Sequence, residues 1–165
     1  MPLSFPPSKP PLSVLVRSLS LGKVKAMNTI SIDQVLVISP EADHHQKISG
    51  AVERCGLGSI YCREFVEARS FLARQKFRVV FCHDTLPDGD FRGVIAAVNP
   101  TPVVVLSRFA EWDHYLTALR AGAFDYLACP PDSAETERIV WSAIDRQNLQ
   151  NGTNAQTKTA LVGVS

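Results

Sequence analysis

The sequence has no apolar run approaching the roughly 20 residues that a membrane-crossing helix requires, and its four cysteines, Cys55, Cys62, Cys82 and Cys129, include no CxxC pair. The first absence argues against a spanning helix. The second argues against a zinc knuckle and, in a chain long enough to bury its own core, against a disulfide framework. Reduced, packed cysteines in a cytoplasmic protein are the expectation. Acidic residues are missing before Asp33, where Lys9, Arg17, Lys23 and Lys25 stand. All 16 acids but only 12 of the 17 basic residues fall between Met27 and Asn148, a net of −4 there. No basic helix or aromatic-interleaved basic stripe occurs, so this stretch is not expected to bind nucleic acid.

What is present is the composition of one soluble globular domain: 165 residues, 45% of them apolar. Residues 1–32 are expected to be a disordered leader. Pro2, Pro6, Pro7, Pro10 and Pro11 fix φ and remove backbone donors. The apolar stretch from Leu12 to Leu21 is interrupted by Arg17 and serines, with no small-residue cleavage site after it, and so makes a poor signal peptide. Met27 is a candidate for the true start. Residues 149–165, rich in Asn, Gln, Thr and Gly, are expected to be a disordered tail.

Between these ends, residues 33–148 alternate strand and helix. Val35–Ile38, Ser59–Cys62, Phe77–Cys82, Val103–Leu106 and Asp125–Cys129 read as strands, three of them apolar enough to be buried on both faces. Helices are expected at about 43–55, 64–75, 91–98, 110–121 and 132–148. Leu86-Pro87-Asp88-Gly89 is a turn in which Pro sets φ and Gly permits φ > 0. Asp132 and Glu135 form a capping-box-like start for the last helix. Five such units predict an α/β fold: a flavodoxin-like (βα)5 three-layer sandwich with a parallel five-stranded sheet in the order 2-1-3-4-5. In such sheets the crevice lies beyond the carboxyl ends of the strands, which points to Ser39, His83, Ser107 and Cys129.

From about Gln34 to Arg146 the sequence resembles the receiver domain of two-component response regulators. The resemblance rests on Val35-Leu36-Val37-Ile38, on the Leu86-Pro87-Asp88-Gly89 turn and on Val103-Val104-Val105-Leu106-Ser107. It rests also on Ala121-Gly122-Ala123-Phe124-Asp125-Tyr126-Leu127-Ala128-Cys129-Pro130, which is similar to the family's AGAxDYLxKP segment. The resemblance implies phosphoryl transfer from a histidine kinase to an aspartate that ends the third strand. That chemistry needs a carboxylate nucleophile, an acid pair holding Mg²⁺, a hydroxyl and a lysine.

Set against that pattern, the sequence is a degenerate member. His83 stands at the phosphoacceptor position, Ser39 and Pro40 stand at the acid-pair position with Glu41 just beyond, and Cys129 stands at the lysine position. Ser107 keeps the hydroxyl, and Tyr126 keeps the aromatic that the family turns inward on phosphorylation. Asp84 is an alternative acceptor, but a one-residue step in an extended segment turns a side chain to the opposite side. His83 with Cys129 offers soft metal ligands, yet two are too few for a structural zinc site, so no metal is expected. His44-His45 reads as a solvated helix start and His114 as surface.

The leading expectation is therefore a stand-alone receiver-like domain in phosphorelay signalling, phosphorylation-independent, not an enzyme, without cofactor, and acting by protein–protein contact. Its partner would be a histidine kinase or another regulator, without nucleic acid or membrane. The resemblance offers the face of the fourth helix, fifth strand and fifth helix, with Trp112, Tyr126 and Trp141, for a partner or homodimer, although Tyr115 and Trp141 could instead fill the core. One alternative is a phosphoacceptor using Asp84 with an atypical Mg²⁺ site. Another is a flavodoxin-like redox or nucleotide-binding protein, which lacks a Gly-rich loop at Ser39-Pro40-Glu41-Ala42.

Overall fold

The computed structural model describes residues 33–164, with side chains described up to Gly152; the expected leader and Met27 lie outside the described residues. The elements run β1 (Gln34–Ile38), α1 (Ala42–Arg54), β2 (Gly58–Cys62), α2 (Phe65–Leu72), β3 (Val79–His83), β4 (Thr85–Leu86), β5 (Gly89–Asp90), α3 (Phe91–Val98), β6 (Val103–Ser107), α4 (Trp112–Arg120), β7 (Asp125–Ala128) and α5 (Ser133–Val164). The main sheet is wholly parallel, in the order β2-β1-β3-β6-β7. Counting only its own strands, that is 2-1-3-4-5, as expected. The extra numbers come from β4 and β5, a two-residue antiparallel hairpin around Pro87-Asp88 that the sequence reading took for a plain turn.

Strand alternation builds two cores. Leu36, Ile38, Val80, Cys82, Val103 and Val105 face α2, α3 and α4, where Phe65, Val94 and Ala118 cover them. Val35, Val37, Val79, Phe81, Val104 and Leu106 face the opposite way, onto Ile48 and Val52 of α1 and Ile139, Val140 and Ala143 of α5. Both faces of the central strands are dry, which is why these strands read as continuous apolar runs.

The caps are local. Asp90 Oδ1 accepts from the amides of Arg92 and Gly93 at the start of α3, and Asp132 Oδ2 accepts from Glu135 N at 3.0 Å at the start of α5. One cap is long-range: Asp88, in the β4–β5 turn, accepts from Phe65 N and Val66 N (2.9 and 2.7 Å) and so caps α2 from 23 residues away. Gly122 (φ 107°) ends α4 in the left-handed region, where a side chain would be strained. The sequence predicts a last helix ending near Asn148 and a disordered tail at 149–165. Instead α5 continues to Val164; Asn, Thr and Gly there are weak helix formers, but Gln and Ala are good ones and no proline stops the helix.

Candidate functional site

The carboxyl ends of β1, β3, β6 and β7 meet in one crevice, and strand alternation sorts its side chains onto two sides. His83 ends β3 in phase with Val79 and Phe81 and turns toward α1. Asp84, one residue on, is in phase with Val80 and Cys82 and meets Ser107, the last residue of β6. The two side chains nonetheless meet at the crevice, with Asp84 Oδ1 3.1 Å from His83 Nδ1.

On the first side, the buried His44 ring lies against His83, with centroids 5.5 Å apart and planes 14° from parallel. His44 Nδ1 is 2.9 Å from Ser39 Oγ, and its Nε2 is 3.5 Å from Glu41 Oε2. Ser39, fully buried, also accepts from Glu41 N at 3.1 Å. His83 Nδ1 lies 2.9 Å from the Thr85 carbonyl oxygen and 3.1 Å from Asp84 Oδ1, and it accepts from the Thr85 amide at 3.3 Å. Its Nε2 is buried with no hydrogen-bond partner. Burial holds the His44 imidazole below its ordinary value although Glu41 pulls the other way.

On the second side, Ser107 Oγ donates to Asp84 Oδ2 at 2.5 Å and accepts from Phe109 N at 3.1 Å. The Tyr126 hydroxyl donates to the Phe109 carbonyl, and its ring stands edge-on to Tyr115 at 6.0 Å. Tyr126 is thus turned in and buried. Arg108, between Ser107 and Phe109, extends its guanidinium to Glu41. That contact holds the Glu41 carboxyl below its usual range, with His44 and His83 adding to the effect, and it raises the arginine.

Cys129 follows β7, its amide donating to Ser107 O at 2.7 Å. Its half-buried thiol is pushed up to about 11 by burial and by the Glu41 and Asp84 carboxylates. Pro40 lines the mouth of the crevice with Leu86, Pro87 and Phe109. Asp43 stays exposed on the first turn of α1. Among the described residues no three His, Cys, Asp or Glu side chains converge as a metal site would require.

Two residues of this site are not foreseen from the sequence pattern. His44 was read as solvated, but it is buried. The helical period would have placed it, because His44, Ile48, Ala51 and Val52 form one stripe at i, i+4, i+7, i+8. Arg108 carried a weaker signal, that of being the residue next to a strand end. His114 is exposed, as read. Of the proposed partner face, Trp112 is 68% exposed and shares a groove with Tyr115, Tyr126 and Arg138. Trp141 is also exposed rather than filling the core, but it lies one turn after Glu137, which pairs with Arg54 of α1. It is not among the residues that line the Trp112 groove.

No protein-family model matches the chain. It is 28% identical over 123 residues to the response regulator protein PilR of Pseudomonas aeruginosa, covering 72% of this chain and 28% of that protein. It is 26% identical over 124 residues to the regulatory protein AtoC of Escherichia coli, covering 73% and 27%. A two-component response regulator from Clostridium difficile has the same fold, with a TM-score of 0.63 at 27% identity over 70% of this chain and 98% of its own. Sequence and fold together support a response regulator receiver domain. The chain spans little more than a quarter of the length of PilR or AtoC. Among the described residues, no helix is long and apolar enough to cross a membrane.

Proposed function

We propose that this receiver domain signals by protein–protein contact without accepting a phosphoryl group. One observation carries the reading: the Glu41 carboxylate is engaged by Arg108 and His44 and has no second acid beside it after β1, where Ser39 and Pro40 stand. A hard divalent cation wants several free oxygens, and this end of the crevice offers none to spare. The Cys129 thiol, neutral at pH 7, supplies no charge to a phosphoryl oxygen. A partner would meet the exposed Trp112 and the groove beside it, whether that partner is a histidine kinase, another regulator or a second copy.

The test is incubation with a small phosphodonor and Mg²⁺ followed by intact mass. No adduct is expected. A second reading is favoured by the Ser107–Asp84 hydrogen bond, which places a carboxylate beside the retained hydroxyl. In that case an adduct appears, survives His83→Ala and disappears in Asp84→Asn.

A further inference from the structure

The crevice joins two loops that are far apart in sequence. Arg108, in the loop after β6, reaches Glu41, in the loop after β1, and so spans the end of β3 that lies between those strands. Glu41 is itself held from behind: Oε2 faces His44 Nε2, and the Ser39 hydroxyl closes the chain by meeting both His44 Nδ1 and Glu41 N. The segment on the Arg108 side is pinned at three further points, from Ser107 to Asp84, from Phe109 N to Ser107 and from Tyr126 to the Phe109 carbonyl.

We infer that the Arg108–Glu41 pair is a latch that holds the loop of residues 107–111 in one conformation, with Tyr126 turned in and Trp112 presented. This rests on the phosphate-independent reading above: a fixed internal ion pair does what a transient phosphoryl group would otherwise do, so the surface around Trp112 is set once and not switched. The second carboxylate contact matters here. An arginine paired with a lone surface glutamate would contribute little order, whereas Glu41 is already oriented by His44 and by its own amide on Ser39. Loss of the latch frees the loop without touching either core, because Arg108 and Glu41 both lie outside the apolar clusters.

The measurement is amide hydrogen exchange across residues 107–111, on the full chain, in Glu41→Gln, Arg108→Gln and the double variant. Each single change is expected to speed exchange about threefold to fivefold, the range an exposed but oriented ion pair supports. The double variant is expected to be no faster than the faster single, because both remove the same contact. In the parent the protection is expected to fall with added salt, and in the variants it is not. Unchanged exchange in both singles, or a double variant whose effect is the product of the two, overturns the latch. Should a single variant lose its cooperative melting transition, the salt dependence of the parent decides: protection that salt does not weaken overturns the latch as well. A phosphodonor adduct, measured on separate samples, overturns the phosphate-independent reading, so the two failures are told apart.

Discussion

His44 lies face to face with His83, one imidazole from the first turn of α1 and one from the end of β3, both buried. Two stacked rings in a dry site tolerate little charge. Protonating His44 brings a cation against His83 and within the field of Arg108, with Glu41 and, less strongly, Asp43 to offset it. Burial lowers the folded-state pKa of His44 below its unfolded value, so the folded protein binds fewer protons than the unfolded chain between those two values. Its contribution to stability is complete above about pH 6.5 and is lost as pH falls below that point. The denaturation midpoint is expected to drop between pH 7.5 and 5.5, and His44→Gln is expected to flatten that dependence. His45, also lowered by burial, acts in the same direction, so His45→Gln serves as the comparison.

Asp88 makes a second pairing that the chain brings together over distance. Its carboxylate caps the amides of Phe65 and Val66 and ties the β4–β5 hairpin to α2. Asp88→Ala is expected to cost about 1 kcal/mol, the usual loss on removing a cap, read by chemical denaturation. Because the contact also anchors the hairpin, hydrogen exchange is expected to rise at residues 85–90 as well as at the start of α2. An effect confined to α2 would show that the hairpin holds itself.

Much of this was legible in the sequence, for physical reasons. A strand such as Val103–Leu106, buried on both faces, announces itself as an unbroken apolar run, and three such runs among five strands set between amphipathic segments leave few topologies. The crevice was located because parallel sheets open at their carboxyl ends, and Ser39, His83 and Ser107 are all there. Of the two site residues not foreseen, one is marked within its own helix and the other depends on a neighbour from another element. His44 looks polar until Ile48 and Val52 reveal its stripe, and Arg108 becomes part of the site only through Glu41, 67 residues away. The length of α5 was misread from composition: nothing in the local sequence forbids the extension, and composition alone does not mark a stop.

The cysteines give a third expectation. Burial pushes Cys62 up to about 12 and Cys129 up to about 11, and it raises Cys82 and Cys55 as well. At pH 8 a thiol with a pKa near 11 is about one part in a thousand thiolate, and the thiolate is the reactive form. Native protein is expected to react slowly with a thiol-alkylating reagent at that pH, and protein in denaturant to release all four thiols quickly. Rapid modification of Cys129 in the folded protein would mean that its thiol is far more open to solvent than its packing indicates.

His83→Asp tests whether the crevice lost its chemistry at one position or at several. The change restores a carboxylate at the family's acceptor place, but it does so beside an existing one, since His83 Nδ1 lies 3.1 Å from Asp84 Oδ1. It also removes the ring against which His44 packs. Two carboxylates in a half-dry site raise each other's pKa, so the variant is expected to be less stable at pH 7 by about 1–3 kcal/mol. Part of that loss returns as the pH falls toward 5, because a raised carboxyl pKa favours the folded state on protonation. Magnesium-dependent labelling by a phosphodonor is not expected to appear, since Glu41 remains held by Arg108 and Cys129 still lacks charge. If labelling does appear in this single variant, the loss of function resides in His83 alone, and the substitutions at Ser39, Pro40 and Cys129 are tolerated rather than disabling.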